Sequence, residues 1–281
     1  MITLGGDFMI YLLLAICSSA MISIIMRLSS NRVRNNASML LINYITCLVI
    51  AGFYTGGRLF PRPFLGQTLL MGSIHGTLYL VSFLLFQYNV KKSGVVLSSL
   101  FQRLGLLVPL AVSMVLFSEM PTGLQIAGFV LAIGAIVVMN TGKTGKAAPV
   151  LLLLLLGSGM GDAMSKIFQQ LGSNTMADQF LFYTFGAAML LCLILVLVKK
   201  QRVGKSELLF GFLIGIPNFF SAKFLLGALT QLPGIIVYPT FSVAAILVVM
   251  LAGWLLFKEK LNRRQAVAAG VILAALILLN I

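Results

Sequence analysis

Long apolar runs separated by short polar turns follow one another along the whole chain. A bilayer core about 30 Å thick needs roughly 20 apolar residues in helical form. The predicted membrane helices are, in order, Phe8 to Met26, Ala37 to Tyr54, Gly66 to Val90, Gly94 to Phe117, Leu124 to Met139, Pro149 to Leu171, Ala177 to Val198, Leu208 to Leu229, Pro233 to Phe257 and Gln265 to Leu279. The turns between them are too short for a water-soluble domain. The pattern therefore predicts an all-α integral membrane protein with ten transmembrane helices.

The second half of the chain repeats the first. Gly94 to Asn140 aligns without a gap with Gly234 to Asn280, and both segments carry Leu-Phe-x-Glu near their middle. Further upstream Gly72, Gly76 and Ser82 correspond to Gly211, Gly215 and Ser221, and Ser19 corresponds to Ser158. An odd number of helices in each half turns the second copy upside down in the membrane. We therefore predict two inverted five-helix repeats, residues 1–140 and 149–281, joined by a cytoplasmic linker at 141–148.

Composition and charge support a multi-pass protein of the cell membrane. The chain is 60% hydrophobic and only 9% charged, which a water-soluble domain could not carry without exposing most of its apolar surface. The net charge of +14 does not indicate nucleic-acid binding, because the basic residues lie in the turns. Turns on one predicted side hold 15 Lys and Arg residues, and turns on the other side hold Arg58 and Arg62. Cytoplasmic loops accumulate Lys and Arg, so both termini are predicted to lie outside.

The duplicated architecture resembles a known family. Ten helices in two halves, with Leu-Phe-x-Glu at residues 116–119 and 256–259 followed by a Gly/Ala-rich last helix, are similar to the EamA-type members of the drug/metabolite transporter superfamily. The resemblance covers the whole chain. It implies a secondary transporter that does not hydrolyse ATP, with a central cavity between the halves and alternating access. It does not fix the substrate. Members of the superfamily with only four helices depend on a membrane glutamate in their first helix, and this chain has none there.

Four charged side chains within the predicted spans are candidates for a functional role. An unpaired charge in hydrocarbon is costly, so each of them needs an explanation. Arg103 is near the middle of its span, where insertion costs about 2.5 to 3.5 kcal/mol, and either substrate contact or a structural ion pair would explain it. Lys223 can snorkel outward. Asp162 and Lys166 share one helix face and form either an ion pair or, through Asp162, a proton-coupling site. If all four face one cavity its net charge is +2, which favours a carboxylate or phosphate substrate.

Polar side chains also form stripes at matching places in the two halves. Such stripes indicate either a shared cavity or hydrogen bonds between helices. The candidate substrate-binding residues are His75, Tyr79, Ser98, Gln102, Arg103, Asn218, Ser221, Lys223, Tyr238 and Ser242.

Together these patterns predict a secondary active transporter of a small polar metabolite, functional as a monomer and without a metal or cofactor. Export of aromatic or amphipathic compounds is the second hypothesis, from the phenylalanine content. A non-transporting membrane scaffold or an intramembrane enzyme is the alternative from a different class. Against the enzyme, a single histidine and scattered acids provide no Ser/His/Asp or metal-ligand constellation.

Overall fold

The computed structural model of the chain describes most of its length. The described residues are 7–61, 65–109, 111–112, 122–124, 126–128, 130–131, 134, 148–231, 234–258 and 263–278. All regular structure in these ranges is helical, which confirms the all-α fold class.

Nine α-helices of ten residues or more lie within the described ranges. They are α1 (Asp7–Ser29), α2 (Asn36–Tyr54), α3 (Leu65–Ser93), α4 (Val95–Leu104), α5 (Ala148–Leu171), α6 (Ala177–Val198), α7 (Lys205–Gln231), α8 (Gly234–Phe257) and α9 (Arg263–Leu278). Seven of them, all except α4 and α9, are long and apolar enough to cross a bilayer. The chain is therefore a multi-pass membrane protein.

Several predicted features lie wholly or partly outside the described residues. Of the run from Leu124 to Met139 only short helical pieces up to residue 134 are described, and the run from Gly94 to Phe117 is followed to residue 112. Residues 141–147 of the predicted linker also lie outside, as do Glu119 and Glu259 of the repeated Leu-Phe-x-Glu. The other predicted boundaries agree with the helices to within a few residues, except that α3 and α7 are longer. Pro217 lies within α7, and the helix continues on both sides of it.

The helices pack mainly across the boundary between the two predicted halves. The most extensive contacts join α7 to α1 and α2, join α6 to α3 and α2, and join α3 to α5. Less extensive contacts join α1 to α8 and α4 to α5, and these two are similar in extent. Helix α4 also packs on α8. If α1–α4 correspond to α5–α8, every one of these pairs has its counterpart. Contacts between helices of the same half are fewer.

Two pairs of glycines let helices approach closely at corresponding positions. A Cβ atom on Gly76 of α3 would lie 2.2 Å from the carbonyl oxygen of Thr184 in α6. A Cβ atom on Gly215 of α7 would lie 2.5 Å from Cβ of Thr46 in α2. The glycines one turn earlier, Gly72 and Gly211, are equally confined. Small residues at this spacing allow membrane helices to pack backbone against backbone.

A buried carboxylate joins two turns at one end of the bundle. Glu207, in the first turn of α7, accepts hydrogen bonds from the backbone N–H groups of Arg34 (3.0 Å), Asn35 (3.1 Å) and Gly204 (3.1 Å). Asn35 also donates from its side chain to the carbonyl oxygen of Arg202 (2.9 Å). The carboxylate thereby satisfies backbone donors at the start of α2, which have no partner within their own helix. The α1–α2 turn is thus fixed to the α6–α7 turn.

Candidate functional site

A polar cavity of about 100 Å³ lies at the centre of the helix bundle. Side chains from α1, α3, α4, α5, α6, α7 and α8 line it. Three pairs of residues at corresponding repeat positions contribute both members: Ser19 and Ser158, Ser23 and Asp162, and Ser82 and Ser221. Of the predicted site residues, the structure brings together around this cavity His75, Tyr79, Gln102, Arg103, Asp162 and Ser221.

Two opposite charges share the cavity. The guanidinium group of Arg103 hydrogen-bonds to the hydroxyl of Ser19, and its carbon lies 4.3 Å from the ring centroid of Phe241. Asp162 lies on α5, interacts electrostatically with Arg103, and is partly exposed to the cavity. At a given separation, two opposite charges attract each other more strongly in a low-dielectric bundle than at a protein surface. Lys166 and Lys223 are not among the lining residues, so the predicted net charge of +2 does not describe this cavity.

His75 connects three helices at the cavity wall. Its Nδ1 lies 3.2 Å from the Thr184 hydroxyl of α6, and its Nε2 lies 3.2 Å from the Ser165 hydroxyl of α5. The ring stacks on Phe180, with centroids 5.1 Å apart and planes 11° apart. With both ring nitrogens partnered, the imidazole has a fixed orientation. His75 is therefore both a packing residue and part of the cavity lining.

A second hydrogen-bonded chain crosses between residues at corresponding repeat positions. The hydroxyl of Tyr79 in α3 donates to Oδ1 of Asn218 in α7 at 3.0 Å. Asn218 donates from Nδ2 to Oδ1 of Asn43 in α2 at 3.1 Å. Asn218 is buried behind Tyr79 and is not a lining residue. It acts on the cavity by holding the Tyr79 ring in place.

A second cavity of about 240 Å³ lies beside the first, and the two share Leu181 and Leu226 as lining residues. It contains an ion pair that joins α6 to α7. Nζ of Lys223 lies 2.6 Å from Oδ1 of Asp178 and 4.0 Å from the ring centroid of Tyr54, the last residue of α2. Lys223 was predicted to snorkel or to bind substrate. The structure places it in this ion pair.

The remaining predicted residues do not line the central cavity. Ser98 is buried and donates to the carbonyl oxygen of Gly94 in the same turn of helix (2.7 Å). Tyr238 and Ser242 are buried in α8 and are not lining residues. Lys166 has a partner within the structure but does not line the cavity.

Sequence reasoning missed several residues that the structure places at these cavities. Asp178 is the second residue of a predicted span and is a fifth charge within the predicted bounds, which could have been counted. Ser165 and Thr184 contact His75, but no spacing rule connects residues on three helices. Phe241 lies against the guanidinium group of Arg103, and nothing in the sequence distinguishes it from the other phenylalanines.

The described residues contain no group of three His, Cys, Asp or Glu side chains that could hold a metal ion. The cavity chemistry there is that of hydroxyl groups, one imidazole, one guanidinium and one carboxylate. These groups suit recognition of a polar solute by hydrogen bonds and charge.

Comparisons with known proteins identify the second half of the chain. The sequence model of the EamA-like transporter family matches residues 149–281. An uncharacterized protein of Haemophilus influenzae is 24% identical over 274 residues, which cover 90% of this chain and 91% of that protein. A solved crystal structure shares the fold with a TM-score of 0.60 and 16% identity, covering 97% of this chain and 96% of the other. The family match confirms the resemblance over residues 149–281.

Proposed function

We propose that the whole chain is a secondary transporter that moves a small polar metabolite across the membrane by alternating access, because residues 149–281 match the model of the EamA-like transporter family. The central cavity carries this proposal, because it places Arg103, Asp162 and His75 inside a bundle of apolar helices. Charged and polar groups at such a position mark a solute pathway more often than a structural contact. A scaffold would have no use for a cavity lined by charged groups.

The packing supports ten helices in two inverted repeats. Helix contacts occur in matching pairs across the halves, and the glycine contacts of α3 on α6 are matched by those of α7 on α2. The family match begins at residue 149, where the second repeat was predicted to begin. Inverted repeats allow the two sides of a transporter to open alternately by equivalent movements. The charge bias of the turns supports placing both termini outside.

The lining charges favour a substrate that carries both a cationic and an anionic group. The charges of one guanidinium and one carboxylate sum to zero. The preference for an anionic substrate assumed that Lys166 and Lys223 also face the cavity, and neither of them lines it. Arg103 offers a planar donor array for a carboxylate or phosphate, and Asp162 accepts from an ammonium group. The second candidate function, export of aromatic compounds, is favoured by the rings of Phe83, Phe180 and Phe241 at the same cavity.

Flux measurements in proteoliposomes test the transport function. We expect protein-dependent uptake of at least one member of a panel of labelled zwitterions, anions and aromatic compounds. Arg103→Gln and Asp162→Asn should each lower it by about tenfold or more, the effect of losing about 1.4 kcal/mol or more of binding. Lys92→Gln removes a charge at the exposed end of α3 and should leave uptake unchanged. Absence of flux for the whole panel would favour a scaffold.

Proton coupling through Asp162 is tested separately. A transporter that exchanges a proton for substrate should acidify or alkalinise a lumen that contains a pH-sensitive dye, in step with substrate movement. Asp162→Asn cannot release a proton, so dye response and the pH dependence of uptake should both disappear. Uptake with an unchanged pH dependence in this variant would show that Asp162 does not couple the two fluxes.

A further inference from the structure

The second cavity adjoins the central one through two leucines. Leu181 of α6 and Leu226 of α7 line both cavities, so their side chains form the partition between them. Leu181 follows Asp178 by three residues, and Leu226 follows Lys223 by three residues. Residues at that spacing lie on the same side of a helix. The ion pair and the leucine partition are therefore carried by the same faces of α6 and α7.

The α6–α7 boundary is weakly packed. Both helices pack extensively on α2, but their contacts with each other are among the smallest between described helices. The ion pair between Asp178 and Lys223 is thus one of the few direct connections between them. Both side chains are only partly buried, with 26% of Lys223 and 35% of Asp178 exposed. Helices separate at the lowest cost where few packing contacts are lost.

From these observations we infer that the second cavity is the access route to the central cavity from the end of the bundle where α6 begins. The Asp178–Lys223 pair, with Leu181 and Leu226, forms the gate of this route. The inference rests on the proposed transport function and extends it to a path. When α6 and α7 part, the ion pair opens and the leucines move aside, so that the small polar substrate passes from one cavity to the other. Lys223 keeps its contact with the ring of Tyr54 on α2.

The second cavity is also chemically suited to admit such a substrate. It places a carboxylate and an ammonium group beside Gln169 and Thr230. These two charges match the pair that Arg103 and Asp162 provide in the central cavity, so a substrate that carries both signs meets the same chemistry twice along its path. Its volume, about 240 Å³, exceeds that of the central cavity.

Solvent access to the central cavity tests the gate without any substrate. Ser82→Cys places a thiol at the central cavity, in a Cys17→Ser background because Cys17 is the exposed native thiol. The native Cys47 and Cys192 are buried. In proteoliposomes, Asp178→Asn or Lys223→Met should raise the rate of labelling by a membrane-impermeant maleimide about tenfold, which corresponds to about 1.4 kcal/mol of closing free energy. Unchanged labelling in both variants would overturn the gate.

A cross-link provides the opposite perturbation. In the same background, Asp178→Cys and Lys223→Cys joined by a short bifunctional thiosulfonate should suppress labelling of the thiol at position 82, and reduction of the cross-link should restore it. Labelling that persists at full rate with the cross-link in place would also overturn the gate. A monodisperse size-exclusion profile in detergent for each variant excludes misfolding as the cause of increased labelling. If labelling follows the gate but no panel compound is transported, the transport function fails and the gate stands.

Discussion

Replacing single glycines by alanine measures how closely the helices must approach. In Gly76→Ala the new Cβ would lie 2.2 Å from the carbonyl oxygen of Thr184, and in Gly215→Ala it would lie 2.5 Å from Cβ of Thr46. Ordinary contacts begin near 3.4 Å, so the helices must separate by about 1 Å, and overpacking of this kind costs about 1 to 3 kcal/mol. Gly270→Ala in α9 is the matched control, because no atom lies within 4 Å of its Cβ position.

Thermal unfolding in detergent, followed with a thiol-reactive dye, suits this chain because Cys47 and Cys192 are buried and react only after unfolding. A destabilisation of 1 kcal/mol lowers Tm by about 2 to 4 °C in a protein of this size. We therefore expect Tm to fall by about 2 to 12 °C at both Gly76 and Gly215 and to change by less than about 2 °C at Gly270. The dye should be used with Cys17→Ser throughout. If Gly76→Ala and Gly270→Ala unfold at the same temperature, the close α3–α6 approach is wrong.

The same unfolding assay probes three further contacts. Asp178→Asn and Lys223→Met, made singly and together, measure the coupling energy of the ion pair. We expect about 1 to 3 kcal/mol, a value between those of exposed and buried ion pairs. Additive effects of the two substitutions would mean that the 2.6 Å pair contributes nothing to stability. Glu207→Gln replaces one of the two carboxylate oxygens by an NH₂ group, so that three backbone N–H groups share a single acceptor oxygen. The substitution should lower the free energy of unfolding by about 1.5 to 3 kcal/mol. An unchanged free energy of unfolding would contradict this role of Glu207. Tyr79→Phe removes the donor to Asn218 and should cost about 0.6 to 2 kcal/mol; a more stable variant would contradict it.

The membrane helices were predictable because bilayer thickness imposes a run length that hydropathy reveals directly. The sequence also indicates in part where helices pack closely. Glycines recur at corresponding positions of the two predicted halves, which indicates similar helix contacts in both: Gly72 and Gly76 in the first, Gly211 and Gly215 in the second. The helices they contact could not be named from the sequence. That choice depends on how seven or more helices pack together.

In the candidate site, too, some residues could be recognised from the sequence, whereas their partners could not. Arg103 and Asp162 were found because a charge within an apolar run is costly and therefore conspicuous. Lys223 was conspicuous for the same reason, yet its partner Asp178 lies 45 residues away in the chain and at the edge of its own helix. Pairing of that kind follows from tertiary packing, and no local spacing encodes it. The same holds for His75, whose partners come from two other helices.

The dominance of contacts between the two halves has a consequence for biosynthesis. Helices α1 and α2 have their most extensive contacts with α7, which leaves the ribosome about 150 residues after α2. Until then the early helices can be inserted into the bilayer but cannot reach their final packing, in keeping with separate insertion and association stages for membrane helices. A nascent chain that stops before Lys205 would hold α1 and α2 without this partner, a target for quality-control proteases. The same architecture would let two separately synthesised halves assemble in one membrane.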